Sequence, residues 1–333
     1  MDQLAAISDR FGVRNLALIP SWECDVACHH CVFSSSPRAK GRLDLVQALQ
    51  FIDELISCSN IEIVTLSGGE AFVDPDYLLA VARHCGKRPV SFRIVTNASF
   101  AVSDEAAKAQ LLPLREAGLH SVSVSWDRFH EAFISAERVK TAIRACRRLG
   151  ITVEMTCVVS RESRIEDALA ALGEEGYELR VVQVKALPIG RGARKLKPES
   201  LFPASYWERG RACGSDFDTI AIVRDGTVYP CCAVGGFTDA IALGRYPNES
   251  AAELLARRRD SFKWSMLAAR GPTQLMRCAS TAELAAAGAD PEAHDCVNCH
   301  RLFSSDLGET LVNRAKSEVD EIALRLMKQG GVV

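Results

Sequence analysis

From about residue 15 to residue 190 the chain alternates short runs of β-branched and apolar residues with longer stretches whose apolar residues recur every three or four positions. The runs NLALIP, IEIVTLS, VSFRIVTN, SVSVSW, ITVEMTCVV and ELRVVQVKAL predict strands. The stretches DLVQALQFIDELI, DPDYLLAVARHC, SDEAAKAQLLPLREAG, AERVKTAIRACRRLG and IEDALAALGEEG predict the helices between them. Ser103, followed by Asp104 and Glu105, marks one helix start, and Gly118 and Gly150 stand just past two helix ends. Repeated βα units imply a parallel sheet with right-handed crossovers, either doubly wound or curled as a barrel.

The strand patterns favour the barrel. Ser121, Ser123, Ser125 and Asp127 fall on one face, opposite Val122, Val124 and Trp126; Glu154 and Thr156 oppose Val153, Met155 and Cys157; Gln183 and Lys185 oppose Val182 and Val184. A parallel strand covered by helices on both faces is apolar almost throughout. One polar face therefore predicts a wetted interior, and the fold class is expected to be α/β: a partial (β/α)6 TIM-like barrel over residues 1–195. Chemistry in barrels gathers where strands run into βα loops. Cys24, Cys28 and Cys31 follow the first strand, the SGGE of residues 67–70 follows the second, and the TNAS of residues 96–99 ends the third, so all three are expected at one mouth.

Beyond residue 195 the pattern changes. RKLKPESLFPAS reads as a linker, and FDTIAIVRDGTVYPCC as a hairpin turned by Asp225 and Gly226. NESAAELLARRRDSF predicts a helix capped near Asn248 or Ser250, and DLGETLVNRAKSEVDEIALRLMKQ a long amphipathic helix. Residues 196–333 also carry Cys213, Cys231, Cys232, Cys278, Cys296 and Cys299, and are expected to form a small α+β metal-binding domain.

Composition narrows the function. The chain has 333 residues, 48% of them hydrophobic, enough to bury a large core. With 40 basic and 42 acidic residues the net charge is -2, so nothing global draws it to nucleic acid or an anionic membrane. The N-terminus lacks a signal-peptide pattern and no segment offers eighteen uninterrupted apolar residues, so a cytoplasmic location is expected. Thirteen cysteines, an odd number in tight clusters, then point to metal rather than disulfides. Cys58, Cys85, Cys146 and Cys157 sit on apolar faces and are expected in the core, whereas His294 and His300 are expected to be exposed loop residues.

Three thiolates from one loop can hold a corner of a zinc site, with His29 or His30 as a fourth ligand, or three irons of a 4Fe-4S cluster whose fourth iron stays open. The CxxxCxxC of Cys24, Cys28 and Cys31, followed by SGGE, resembles the radical S-adenosylmethionine (radical SAM) superfamily. The resemblance extends over residues 15–192, including the PIGRG of residues 188–192. It implies that the three cysteines ligate a 4Fe-4S cluster that binds S-adenosylmethionine, with Gly68, Gly69 and Glu70 against the methionine amino group. Asn97 and Ser125 are implied near the ribose and methionine part, and His30, where a larger aromatic is usual, near the adenine. Ala71 stands where proline is frequent.

Cys213, Gly226 and Cys231, with Cys296 and Cys299 in a closing CVNC, are similar to the shorter twitch form of the SPASM extension. This implies an auxiliary 4Fe-4S cluster. By resemblance to radical epimerases, Cys232 is a candidate catalytic hydrogen donor, with Cys278 as a competing donor or substitute ligand. The resemblance implies an oxidoreductase or epimerase that abstracts hydrogen from a natural product, a sugar, aminocyclitol, nucleoside or short ribosomal peptide. Epimerisation, dehydrogenation or cross-linking would follow, with a flavodoxin- or ferredoxin-type electron donor. Some fifteen residues precede the first strand, so no N-terminal peptide-recognition domain is expected, which tilts the reading toward a small molecule or short peptide. Asp127, Arg128, Glu154 and Lys185 are candidate substrate contacts. The rival is a zinc-binding scaffold or regulatory protein without radical chemistry.

Overall fold

The alternation of strand and helix patterns yields six βα repeats in the computed structural model, which describes residues 12–203, 213 and 217–329. The strands β1 (Asn15–Ile19), β2 (Ile63–Leu66), β3 (Ser91–Thr96), β4 (Leu119–Ser125), β5 (Thr152–Val159) and β6 (Arg180–Lys185) lie side by side in chain order, each parallel to the next. Between them run α1 (Leu45–Cys58), α2 (Pro75–Cys85), α3 (Asp104–Glu116), the short α4 (Arg128–Glu131), α5 (Ala136–Arg148) and α6 (Ile165–Leu172). A doubly wound sheet needs a point where the strand order reverses. None occurs from β1 to β6, and right-handed crossovers advancing one way put the helices on one face and leave the other as a lumen.

Local chemistry explains the helix ends. Asp44 caps α1 by accepting from Gln47 N (3.0 Å), and α1 buries Ala48, Phe51, Ile52 and Leu55, one face at helical spacing. Burial of each of the three large side chains is worth about 1.5–3 kcal/mol. Ser103 Oγ accepts from Ala106 N (3.2 Å), and Gly118 and Gly150 have φ of 105° and 64° after α3 and α5. Cys85, Cys146 and Cys157 are fully buried as expected. Cys58 is not: it is the last residue of α1 and exposed.

The lumen follows the strand register. Ser123 aligns with Glu154, and Ser125 with Thr156. An Arg93–Glu154 ion pair and a Ser123–Thr156 hydroxyl bond (2.8 Å) fill its lower layer, below the ends of the strands. On β6 the expected faces are corrected: Val182 and Val184 align with Thr156 and Val158, while Gln183 aligns with the fully buried Cys157 on the helix side. β6 ends the sheet, and Val184 there is 42% exposed, so polarity along this edge strand does not report which face is inside.

The hairpin forms as expected, β7 (Thr219–Val223) and β8 (Thr227–Tyr229) around Asp225 and Gly226, with Asp225 Oδ1 accepting from Thr227 N at 3.1 Å. β7 pairs in parallel with the whole of β1, and β9 (Gly244–Arg245) continues past β8, so the barrel sheet extends to nine strands. Of the two caps considered for the next helix, α7 (Ala251–Asp260), Ser250 is used, in a capping box with Glu253. Tyr246 Oη and Ala251 N both donate to Glu54 of α1 at 2.9 Å, binding the two regions together. The helices α8 (Phe262–Arg270), α9 (Asp295–Phe303) and the 23-residue α10 (Leu307–Gln329) complete the region. Among the described residues no helix is long and apolar enough to cross a membrane.

Candidate active site

After β1 the chain leaves the sheet as a loop shaped by the turn after β2. Gly69 N donates to Ser21 O (2.9 Å) and Glu70 N to Glu23 O (2.8 Å). A Cβ on Gly69 would lie 1.7 Å from Glu23 O, and Gly68, at φ 127°, would bring one within 2.5 Å of Ser21 O. The glycines are therefore required by the close approach of the chain's own backbone just ahead of Cys24. Cys24 and Cys28 are buried and Cys31 half-buried, with Ser35 N donating to Cys31 Sγ (3.3 Å). Burial raises the Cys24 thiol well above its ordinary pKa and the Cys28 thiol to about 12. Thiols whose burial outweighs any nearby positive charge fit a site completed by a metal, which deprotonates its ligand thiols.

Glu70 is buried and tied to the protein. Its carboxylate accepts from Thr96 Oγ1 (2.7 Å), Asn97 N (2.7 Å) and Phe72 N (3.1 Å), and burial raises its pKa to about 7. Of roughly four lone-pair directions on a carboxylate, these occupy three. Asn97 is likewise committed: its side chain donates to Asp25 Oδ1 (2.8 Å) and accepts from Ser99 N (2.8 Å). Asp25, which the sequence did not single out, thus ties the cysteine loop to the end of β3.

A cavity of about 390 Å³ opens at these strand ends. Cys24, Cys28 and Cys31 line it with Gly68, Gly69 and Glu70, so the three expected motifs do share one mouth. Asn97, Ser125 and His30 line it too, as do Lys185 from β6 and Cys232 from the segment after β8. His30 packs against Phe129 in a tilted contact and against His130 edge-on, at ring-centroid distances of 5.0 and 4.9 Å, and burial lowers its pKa to about 3. His130 also lines the cavity; a lone histidine in a short βα segment carried no signal for it.

Three of the four candidate substrate contacts lie elsewhere. Asp127 is 1% exposed and caps α4, accepting from Phe129 N (2.9 Å), His130 N (3.2 Å) and Val158 N (3.0 Å), and it sits 3.0 Å from His130 Nδ1. Its carboxylate is consumed by that capping. Arg128, beside it, is exposed and outside the cavity. Glu154 is held in the lower lumen by Arg93, with Arg180 at 3.8 Å. Lys185 alone reaches the cavity.

A second, apolar cavity is lined by Cys213, Cys231, Cys296 and Cys299, with Phe217, Ile241 and Leu267 in its walls. Burial and the nearness of the other thiols push Cys231 and Cys299 well above the ordinary thiol range. Close packing draws the segment after β8 onto α9: a Cβ on Gly235 would lie 2.0 Å from Cys296 O. The CVNC pair lies on α9, and neither nearby histidine is in an exposed loop. His294 caps that helix, accepting from Cys296 N through Nδ1 (3.0 Å), and His300 is part-buried within it. Cys278, the alternative donor or ligand, lines neither cavity and lies 3.9 Å from Glu318 Oε2. Four thiols around one dry cavity fit a cluster with every iron ligated.

Residues 18–172, from within β1 to the end of α6, match the radical SAM superfamily. YydG of Bacillus subtilis (strain 168), named for peptide biosynthesis, is 20% identical over 252 residues, 72% of this chain and 79% of YydG. The mycofactocin maturase MftC of Mycobacterium ulcerans (strain Agy99) is 29% identical over 191 residues, 52% of this chain and 48% of MftC, so the chain spans about half that relative's length. The solved structure of BtrN in complex with AdoMet and 2-DOIA aligns over 77% of this chain and 87% of BtrN at 14% identity, with a TM-score of 0.45, too distant to bear on function. With the matched segment coinciding with the barrel and its three-cysteine loop, this chain carries a radical SAM superfamily domain, whose cofactors are S-adenosylmethionine and a 4Fe-4S cluster.

Proposed function

We propose that the protein is a radical SAM epimerase acting on a short peptide, with Cys232 as the hydrogen donor. One observation carries the reading: consecutive residues divide between the two cysteine cavities, Cys231 lining the four-thiol cavity and Cys232 the mouth of the barrel. A packing cysteine has no reason to stand exposed on the cavity that the three-cysteine loop lines, whereas a thiol that quenches a substrate radical must face the space the substrate fills. The name and coverage of YydG support a peptide substrate.

Cys24, Cys28 and Cys31 would hold the cluster that binds S-adenosylmethionine, and Cys213, Cys231, Cys296 and Cys299 the auxiliary one. When bound, the first cluster and S-adenosylmethionine supply a 5'-deoxyadenosyl radical able to take hydrogen from an unactivated C–H bond. Val95, Val158, Val184 and Leu187 line the cavity and help exclude water from it. Lys185, on the rim, offers a cation to a peptide carbonyl or carboxylate. The Cys232 thiol gives its hydrogen atom to the substrate carbon from the opposite face. The resulting thiyl takes one electron from a donor of flavodoxin or ferredoxin type and one proton from solvent to return to the thiol.

The test is turnover in deuterium oxide with a short peptide encoded beside the gene. The parent protein should deliver one solvent deuterium to the epimerised carbon, and Cys232→Ala should cleave S-adenosylmethionine but yield no epimer. A product two hydrogens lighter, free of solvent deuterium, would replace epimerisation by dehydrogenation or cross-linking. Stoichiometric zinc without cleavage of S-adenosylmethionine would return the zinc-scaffold reading.

A further inference from the structure

The mouth of the barrel has a seam. β6 ends the sheet, and the outer edge of β1 is taken by β7, so among the described residues no strand pairing joins β6 back to β1. The segment that follows β6 closes the gap: Leu187 and Ile189 pack with Val32 of the cysteine loop, and Arg191 supplies the hydrogen bonds. Arg191 donates from Nη1 to Cys28 O (2.9 Å) and from Nη2 to Ser34 O (2.9 Å) and Ser35 O (2.6 Å), while its backbone N donates to Cys31 O (2.9 Å). Gly190, at φ 60°, allows the approach, since a Cβ there would lie 2.1 Å from Val32 O. Four carbonyls of the cysteine loop are thereby satisfied from the far side of the barrel. The loop's own backbone bonds in this stretch are the two longer ones from Cys31 N to Cys28 O and Ser34 N to Cys31 O, both 3.2 Å.

We propose that Arg191 is a positioning residue for the cluster: its forked guanidinium fixes the loop from Cys28 to Ser35 in ligating shape, and its charge raises the cluster's reduction potential. The proposal rests on a cluster at Cys24, Cys28 and Cys31. Reduction adds negative charge to a thiolate-ligated cluster, and a guanidinium bonded to the carbonyl of one ligand, with its backbone N on that of another, lowers the energy of that reduced state. Arginine suits the task because it stays protonated and its planar fork reaches several acceptors at once. A lysine ammonium keeps the charge and loses the fork.

The experiment compares Arg191→Gln and Arg191→Lys in the reconstituted holoenzyme by redox titration, following the electron paramagnetic resonance signal that changes when S-adenosylmethionine is added. Melting temperature is measured alongside. Arg191→Gln should make reduction at least tenfold harder at a given potential, a fall of about 59 mV for one electron. Arg191→Lys should stay within half that shift yet lose iron to a chelator several-fold faster than the parent. An unchanged potential in Arg191→Gln would overturn the proposal, as would an equal shift in both variants or collapse of the fold in both. A parent protein that takes up no iron on Cys24, Cys28 and Cys31 would overturn the functional reading and this proposal together, so the two failures are distinguishable.

Discussion

The two cysteine cavities differ in how they are built and in what surrounds them. The first takes its three thiols from eight consecutive residues on one loop, and about 390 Å³ of space adjoins them. The second gathers four thiols from residues 213 to 299 into an apolar cavity walled by Phe217, Ile241 and Leu267. Three thiols beside such a space suit a cluster that must bind something else; four thiols around a mostly apolar cavity suit one that is complete. The difference also fixes the strategy of assembly. A loop can be shaped by neighbours that need contribute no ligand, here the turn at Gly68 and Gly69 and the side chain of Arg191. Thiols brought from distant segments depend on the packing of the whole region, such as the approach of Gly235 to α9.

Substitutions test that division. The largest effect is expected from Cys28→Ala, which should lower iron from about eight to about four per chain and abolish cleavage of S-adenosylmethionine. Persistent cleavage would break the contrast at its root. Cys299→Ala should cost a similar amount of iron yet leave S-adenosylmethionine cleavage near the parent level while product falls at least tenfold. If cleavage fell as far as in Cys28→Ala, the two cavities would not have separate tasks. The smallest effect is expected outside both, at Asp127→Ala. Removing the carboxylate leaves Val158 N and the first amides of α4 without their acceptor, a cost of about 1–3 kcal/mol in denaturant unfolding. The KM for the substrate should be unchanged, and a raised KM at unchanged stability would restore Asp127 as a substrate contact.

Legibility followed distance along the chain. The loop of Cys24, Cys28 and Cys31, the Gly68–Glu70 turn and the helix starts at Ser103 and Ser250 depend on neighbours within a few residues, and the sequence exposes them directly. The place of Glu154 is not legible in sequence, because a polar residue on a lumen face can equally meet a substrate or a partner such as Arg93, 61 positions away. Asp127 is ambiguous for a related reason: a carboxylate at a strand end reads the same in sequence whether it meets a substrate or caps the next helix. Asp25, His130 and Arg191 could not be assigned tasks in advance, because their partners lie on other βα units.

By itself the sequence determined the order of strands and helices, since the 2.0 and 3.6 periodicities are local, and it determined the cluster loop, since its ligands share one turn of chain. Only the tertiary structure decided that β7 adds to the edge of β1, that Val182 and Val184 rather than Gln183 line up with the lumen residues of β5, and that Cys231 and Cys232 face different cavities. Each of those depends on which edge or face remains available once distant segments have packed, and no local pattern of residues encodes that.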